Sequence, residues 1–168
     1  MYRALTRNIA VTVSPRFMPE RSSNQEGRYF WAYTIEITNR GPAKVQLKTR
    51  HWKITDAHGK LQEVRGAGVV GKEPVLRPGE DFEYTSGVPL PTASGFMTGR
   101  YQMVSESGEK FEIDGLKVEV VDAERRRLVQ HARAAGVVRD QHPLAVADVL
   151  GSNVLVGLRV DVVPVPAH

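Results

Sequence analysis

The stretch "RYFWAYTIEITNRGP", residues 28–42, places Tyr29, Trp31, Tyr33, Ile35 and Ile37 on one side of an extended chain. Phe30, Ala32, Thr34, Glu36 and Thr38 fall on the other side. A period of two is the signature of a strand with one buried face, whereas 3.6 residues per turn would scatter these aromatics around a helix. The odd-numbered face is expected to be core, and "NRGP" supplies the turn that ends the strand. The same period recurs from residue 5 to residue 121 with no helix-period segment between. Ile9, Val11 and Val13 alternate with polar or small neighbours up to Pro15, and Phe82 and Tyr84 restart alternation after "LRPGED". Tyr101 and Met103 lie on a strand that turns at Ser107 and Gly108.

Two phase changes interrupt the pattern. Val45 and Leu47 occupy odd positions but Trp52 and Ile54 even ones, so an extra residue is expected near Thr49 to His51. A second change at Asp114 and Gly115 separates Phe111 and Ile113 from Leu116, Val118 and Val120, which are expected to pair with them. "DAHG" at 56–59 reads as a hairpin turn into Leu61 to Arg65. Together the pattern predicts an all-β chain: an antiparallel β-sandwich of immunoglobulin or fibronectin-III kind with seven to eight strands over residues 1–121.

Residues 122–168 read as an extension. "DAERRRLVQHARAAG" offers Asp122 as an N-cap and Gly136 as an exit, which predicts a short C-terminal helix. The valine-rich alternation of 137–168 is compatible with an edge strand, with pairing between chains, or with a loose tail.

Composition narrows function by exclusion. A chain of 168 residues with 41% apolar and 25% charged residues can build one packed domain. It contains no cysteine, which removes disulfides, thiolate metal sites and cysteine nucleophiles, and suits a reducing, cytoplasmic setting. No apolar run is long enough to span a membrane, and the N-terminal segment lacks the h-region of a secretory signal. The net charge of +4 is dispersed, and the sole basic run, Arg125 to Arg127, has no interleaved aromatics, which argues against nucleic acid.

"RGAGVVGKEP", residues 65–74, carries Gly66, Gly68 and Gly71 at the G-x-G-x-x-G spacing of a dinucleotide-binding loop. That loop needs a helix directly after it, because the helix N-terminus supplies the N–H groups and dipole that grip pyrophosphate. Pro74 and Pro78 forbid one, at about 3 kcal/mol for each interior proline. A glycine-rich bulge is therefore expected, and the remaining option is a backbone anion nest flanked by Arg65 and Lys72. His51, Asp56 and His58 do not share a metal-ligand spacing: five positions separate the first two, so they face opposite ways on a pleat. No nucleophile elbow or convergent carboxylate pair is present, so no catalytic residue, metal ligand or cofactor is assigned.

Three stretches, "YFWAYTIEITN", "VQLKTRHWKITDAHGKLQEVRGAGVVGKEPVLRPGEDFEYTSGVPL" and "SGFMTGRYQMVSESGEKFEI", resemble the bacterial ApaG family, collinearly from about Met1 to Ile113. The resemblance implies a fibronectin-III-like sandwich on which Gly66, Gly68 and Gly71 match the family's signature glycines. It also implies association with divalent-cation (cobalt and magnesium) phenotypes and a gene neighbouring that of a diadenosine tetraphosphatase. Related eukaryotic domains, some in F-box proteins, imply protein interaction. No catalytic residues carry over, and the chain departs from the family pattern after Ile113.

The expectation is therefore a non-catalytic protein-binding module, with a homodimer among the partners considered. Phe30, opposite the aromatic core stripe, and Pro74 are the expected contact residues. The alternative is a sensor of phosphate, pyrophosphate or a dinucleoside polyphosphate at Arg65, Gly66, Gly68, Gly71 and Lys72.

Overall fold

β-branched and aromatic side chains at every second position can only be dried by a second layer, and the chain supplies one from itself. The computed structural model describes residues 1–115 and 117–121, so the expected helix and tail beyond 121 lie outside the described residues. The strands are β1 (Tyr2–Thr6), β2 (Ile9–Phe17), β3 (Tyr29–Asn39), β4 (Val45–Asp56) and β5 (Leu61–Ala67). They continue as β6 (Val75–Leu76), β7 (Asp81–Leu90), β8 (Ser94–Ser105), β9 (Lys110–Asp114) and β10 (Val118–Val121). One sheet has the order β1-β2-β3-β7, and the other runs β10-β8-β4-β5, with β6 beside β4 and β9 beside β8. All the pairings are antiparallel, so the fold is an antiparallel β-sandwich.

The odd face of β3 enters the core as the alternation requires: Trp31, Tyr33, Ile35 and Ile37 are all 4% exposed or less. Opposite them Leu47, Trp52, Ile54, Tyr101, Met103 and Ile113 complete a single cluster. Each such aliphatic or aromatic side chain contributes about 1.5–3 kcal/mol when fully buried.

The chain has more strands than the seven to eight expected, for local reasons. Arg7 and Asn8, at φ 47° and 62°, close a two-residue turn that splits off β1, and the two residues of β6 add another. The expected pairing between β9 and β10 does not form. Both instead follow the same edge of β8 in succession, β9 against Arg100–Val104 and β10 against Ser94–Met97. Gly115 N–H donates to the Gly99 carbonyl (2.6 Å) at the break between them.

Phe30 is not an exposed anchor; it is 5% exposed and packs with Met18 and Ala32 in a second, small cluster. Two features cover it. Its ring rests on Gly87 of β7, where a Cβ would lie 2.5 Å from the ring edge. The one-turn 3-10 helix Pro19–Arg21 folds over it from outside, with the Arg21 guanidinium carbon 3.7 Å from the ring centre. Alternation alone assigns Phe30 to the open face, but a returning segment makes that face a second interior.

Candidate functional site

The register of β4 decides what the glycine segment sits upon. Its pairing with β8 shifts between Leu47 and Thr49, so Lys48 is the extra residue, just before the expected 49–51 window. Past this bulge the even positions turn inward: Arg50, then Trp52 and Ile54. A cation thus lies on the inner face of a sandwich, at its end, opposite Gly66 of β5 and Tyr101 of β8.

The glycine segment leaves β5 and returns as β6, with no helix after it. Val69 and Lys72 exchange two backbone hydrogen bonds (2.8 and 2.9 Å) around Val70 and Gly71, whose φ values are 44° and 76°. Positive φ at both central residues defines a type I′ turn. Each glycine then has a separate cause. Gly71 supplies the second left-handed position. Gly68, at φ 58°, passes so close to Lys72 that a Cβ would stand 2.2 Å from its carbonyl oxygen. A Cβ on Gly66 would press on the Arg50 guanidinium at 3.3 Å.

Arg50 fastens the hairpin down. Its Nη1 donates to the carbonyls of Ala67 (3.1 Å) and Gly68 (2.7 Å), and it forms no ion pair with any described residue. It shares a cleft of about 60 Å³ with Tyr33, Trp52, Val64, Val70, Tyr84 and Ser86, at the side where β7 of one sheet faces β5 of the other. Such a cleft has room for about four water molecules at roughly 15 Å³ each, far less than a nucleotide pocket needs. The Tyr84 hydroxyl is hydrogen-bonded to that of Tyr101, buried behind it, at 2.6 Å. Burial pushes the Tyr33, Tyr84 and Tyr101 phenols above their usual range, and for Tyr33 a hydrogen bond with Ser86 and the Arg50 charge pull partly back.

The residues flanking the segment are already engaged. Arg65 chelates Glu63 through Nε and Nη2 (3.2 and 2.9 Å), on the outer face of its sheet. Lys72 lies 6.0 Å from the Phe82 ring centre. Pro74 is half-buried, and its carbonyl accepts from Leu47 N–H (3.0 Å). Of the backbone donors, Gly68 N–H goes to Lys48, Val69 N–H to Lys72 and Lys72 N–H to Val69. The geometry thus brings Gly66, Gly68 and Gly71 together as one hairpin, while Arg65, Lys72 and Phe30 point to three other places.

His51 faces outward against Glu63 (3.1 Å), whose carboxyl is held below its usual range first by Arg65 and then by His51. Asp56 faces inward and caps its own turn, accepting from the backbone N–H groups of His58 and Lys60 (both 2.9 Å). Among the described residues no three His, Asp or Glu side chains converge as a metal site, and no helix is long and apolar enough to cross a membrane.

Arg50 and Val70 escape a motif-led reading. The signal for Arg50 was present in the phase change of β4, which turns an arginine to the side where Trp52 and Ile54 are buried. Val70 carries no such signal, because its left-handed backbone appears only once Val69 and Lys72 pair.

A family model described as ApaG domain matches residues 19–105. Protein ApaG of Bradyrhizobium diazoefficiens is 74% identical over 114 residues, covering 68% of this chain and 88% of that protein. Protein ApaG of Xanthobacter autotrophicus is 58% identical over 127 residues, covering 74% and 98%. A crystal structure described as the ApaA protein of Bordetella pertussis superposes with a TM-score of 0.68 at 48% identity, covering 68% of this chain and 94% of that one.

Proposed function

The chain belongs to the ApaG domain family, and from that premise we propose that it is a non-catalytic protein-binding module whose contact point is the Val70 hairpin tip with the Arg50 cleft beside it. The observation that carries this reading is Val70 itself. It is a β-branched residue at φ 44°, 40% exposed, at a turn position that favours asparagine or glycine. Holding an L side chain there costs about 1–2 kcal/mol, which the partial burial of the isopropyl group against the cleft only partly offsets. An apolar tip held out under strain next to an unpaired guanidinium has the composition of an interface anchor, on the loop end of a rigid sandwich.

Tyr33, Tyr84 and Ser86 are the hydroxyls of the cleft, and among the described residues no histidine or carboxylate lines it to activate them. A partner protein in a reducing compartment suits a chain without cysteine. An effect on divalent-cation homeostasis would act through that partner. A dinucleoside polyphosphate is the less favoured ligand, since the cleft accommodates one small group.

The test compares the proteins retained by the full chain with those retained by Val70→Asn, a substitution that suits the turn. Loss of a partner from a variant that folds at least as well as the parent supports the reading, and a second copy of this chain among the retained species would make the module self-associating. Identical retention by both proteins refutes the hairpin tip as the contact point.

A further inference from the structure

We infer that the Arg50 cleft is a carboxylate-binding site that takes the side chain of an aspartate or glutamate from the protein partner; this rests on the reading of the hairpin end as a protein-binding surface. A guanidinium carries five N–H donors in a planar fork. Two contacts through Nη1, to Ala67 and Gly68, fix the plane of the group and leave the Nε and Nη2 edge of Arg50 without a hydrogen-bond partner among the described residues. That edge is the one that grips a carboxylate side-on through two parallel bonds.

Three further observations choose the ligand. Among the described residues Arg50 is the single charged one lining the cleft, so they give the site one positive charge, matched by a carboxylate and exceeded by a phosphate dianion. Around it stand the hydroxyls of Tyr33, Tyr84 and Ser86, residues that are each 7% exposed or less, as polar partners for a buried oxygen. The walls are Trp52, Ile54, Val64 and Val70, which fit the short methylene stem of an acidic side chain. A partly buried cation facing hydroxyls and aromatic walls, with no counter-ion, is costly unless a ligand completes it.

The test follows the Arg50 side-chain Nε–Hε resonance while the full chain is titrated at constant ionic strength with acetate, with propionate, and separately with inorganic phosphate. The expected result is a saturable shift with the carboxylates, weaker for phosphate, and about tenfold weaker carboxylate binding in Arg50→Lys, which keeps the charge but loses the fork. For Arg50→Lys the Trp52 indole resonance replaces the lost arginine signal, and native circular dichroism confirms its fold. Ser86→Ala, which leaves the Arg50 bonds to the hairpin intact, is expected to weaken binding less, and Arg65→Lys to leave it unchanged. No saturable response to either carboxylate overturns the proposal, and so does tighter binding of phosphate. Partner retention that depends on Val70 while acetate fails to bind sinks this inference alone. Carboxylate binding with retention indifferent to Val70 sinks the hairpin reading instead.

Discussion

Replacing each signature glycine with alanine separates a structural motif from a ligand loop by stability alone. At Gly68 the new Cβ would stand 2.2 Å from the Lys72 carbonyl oxygen, more than 1 Å inside contact distance, and neither backbone can give without parting the Val69–Lys72 pair. Two hydrogen bonds at about 1 kcal/mol each, with about 1–2 kcal/mol for an L residue at φ 58°, give a loss of about 3–4 kcal/mol. At Gly71 a Cβ meets nothing within 4 Å, so only the left-handed backbone counts and the loss is about 1 kcal/mol. At Gly66 a Cβ would lie 3.3 Å from Arg50 Nη1, so the guanidinium need give by only a few tenths of an ångström, and alanine loses less chain entropy than glycine on folding, so the net change is about zero. Urea unfolding of the three variants at neutral pH, with unchanged slope, measures the order directly. The reasoning is refuted if Gly68→Ala falls within about 0.5 kcal/mol of the parent, or if Gly71→Ala is the more damaging.

Val70→Asn is expected to raise stability by about 1 kcal/mol, seen as a higher Tm, because asparagine tolerates the left-handed region that valine resists; a lower Tm would remove the strain argument. Phe30→Ala is expected to lose about 3–4 kcal/mol in urea unfolding, the cost of a core truncation rather than a surface change. Tyr33, Tyr84 and Tyr101 have phenols raised by burial, so their contribution is complete below the unfolded value of about 10 and declines as pH rises beyond it. Their tyrosinate absorbance at about 295 nm should appear only together with loss of native circular dichroism; ionisation within an intact fold would contradict the burial.

The sandwich was legible in the sequence because one physical rule, the period of two, acts within each strand. Trp31, Tyr33, Ile35 and Ile37 obey it without exception. Pro74 and Pro78 were equally informative, since they exclude a helix wherever the rest of the chain goes. The site was far less legible because its parts meet through tertiary contacts: Gly66 lies opposite Arg50, sixteen residues earlier, and the cleft hydroxyls come from the other sheet. Phe30 shows the same limit. Its open face is covered by Pro19–Arg21, ten residues upstream, a return that alternation within β3 cannot announce.

The bulge, the arginine and the glycines are best understood as one device. Without the extra residue at Lys48, the odd positions would stay inward and Arg50 would face water on the outer side of the sheet, which carries Arg65, where a guanidinium is cheap and unspecific. With it, the guanidinium lies between the sheets and requires space, which the missing side chain at Gly66 provides, and acceptors, which Ala67 and Gly68 provide. Those two carbonyls reach Arg50 because the chain reverses tightly just beyond them, and the reversal depends on Gly68 and Gly71. A spacing that on a helix would hold pyrophosphate by N–H groups here presents carbonyl oxygens to a cation. The polarity of the motif is thereby inverted: the loop holds the protein's own positive charge through Nη1 and leaves Nε and Nη2 without a hydrogen-bond partner among the described residues.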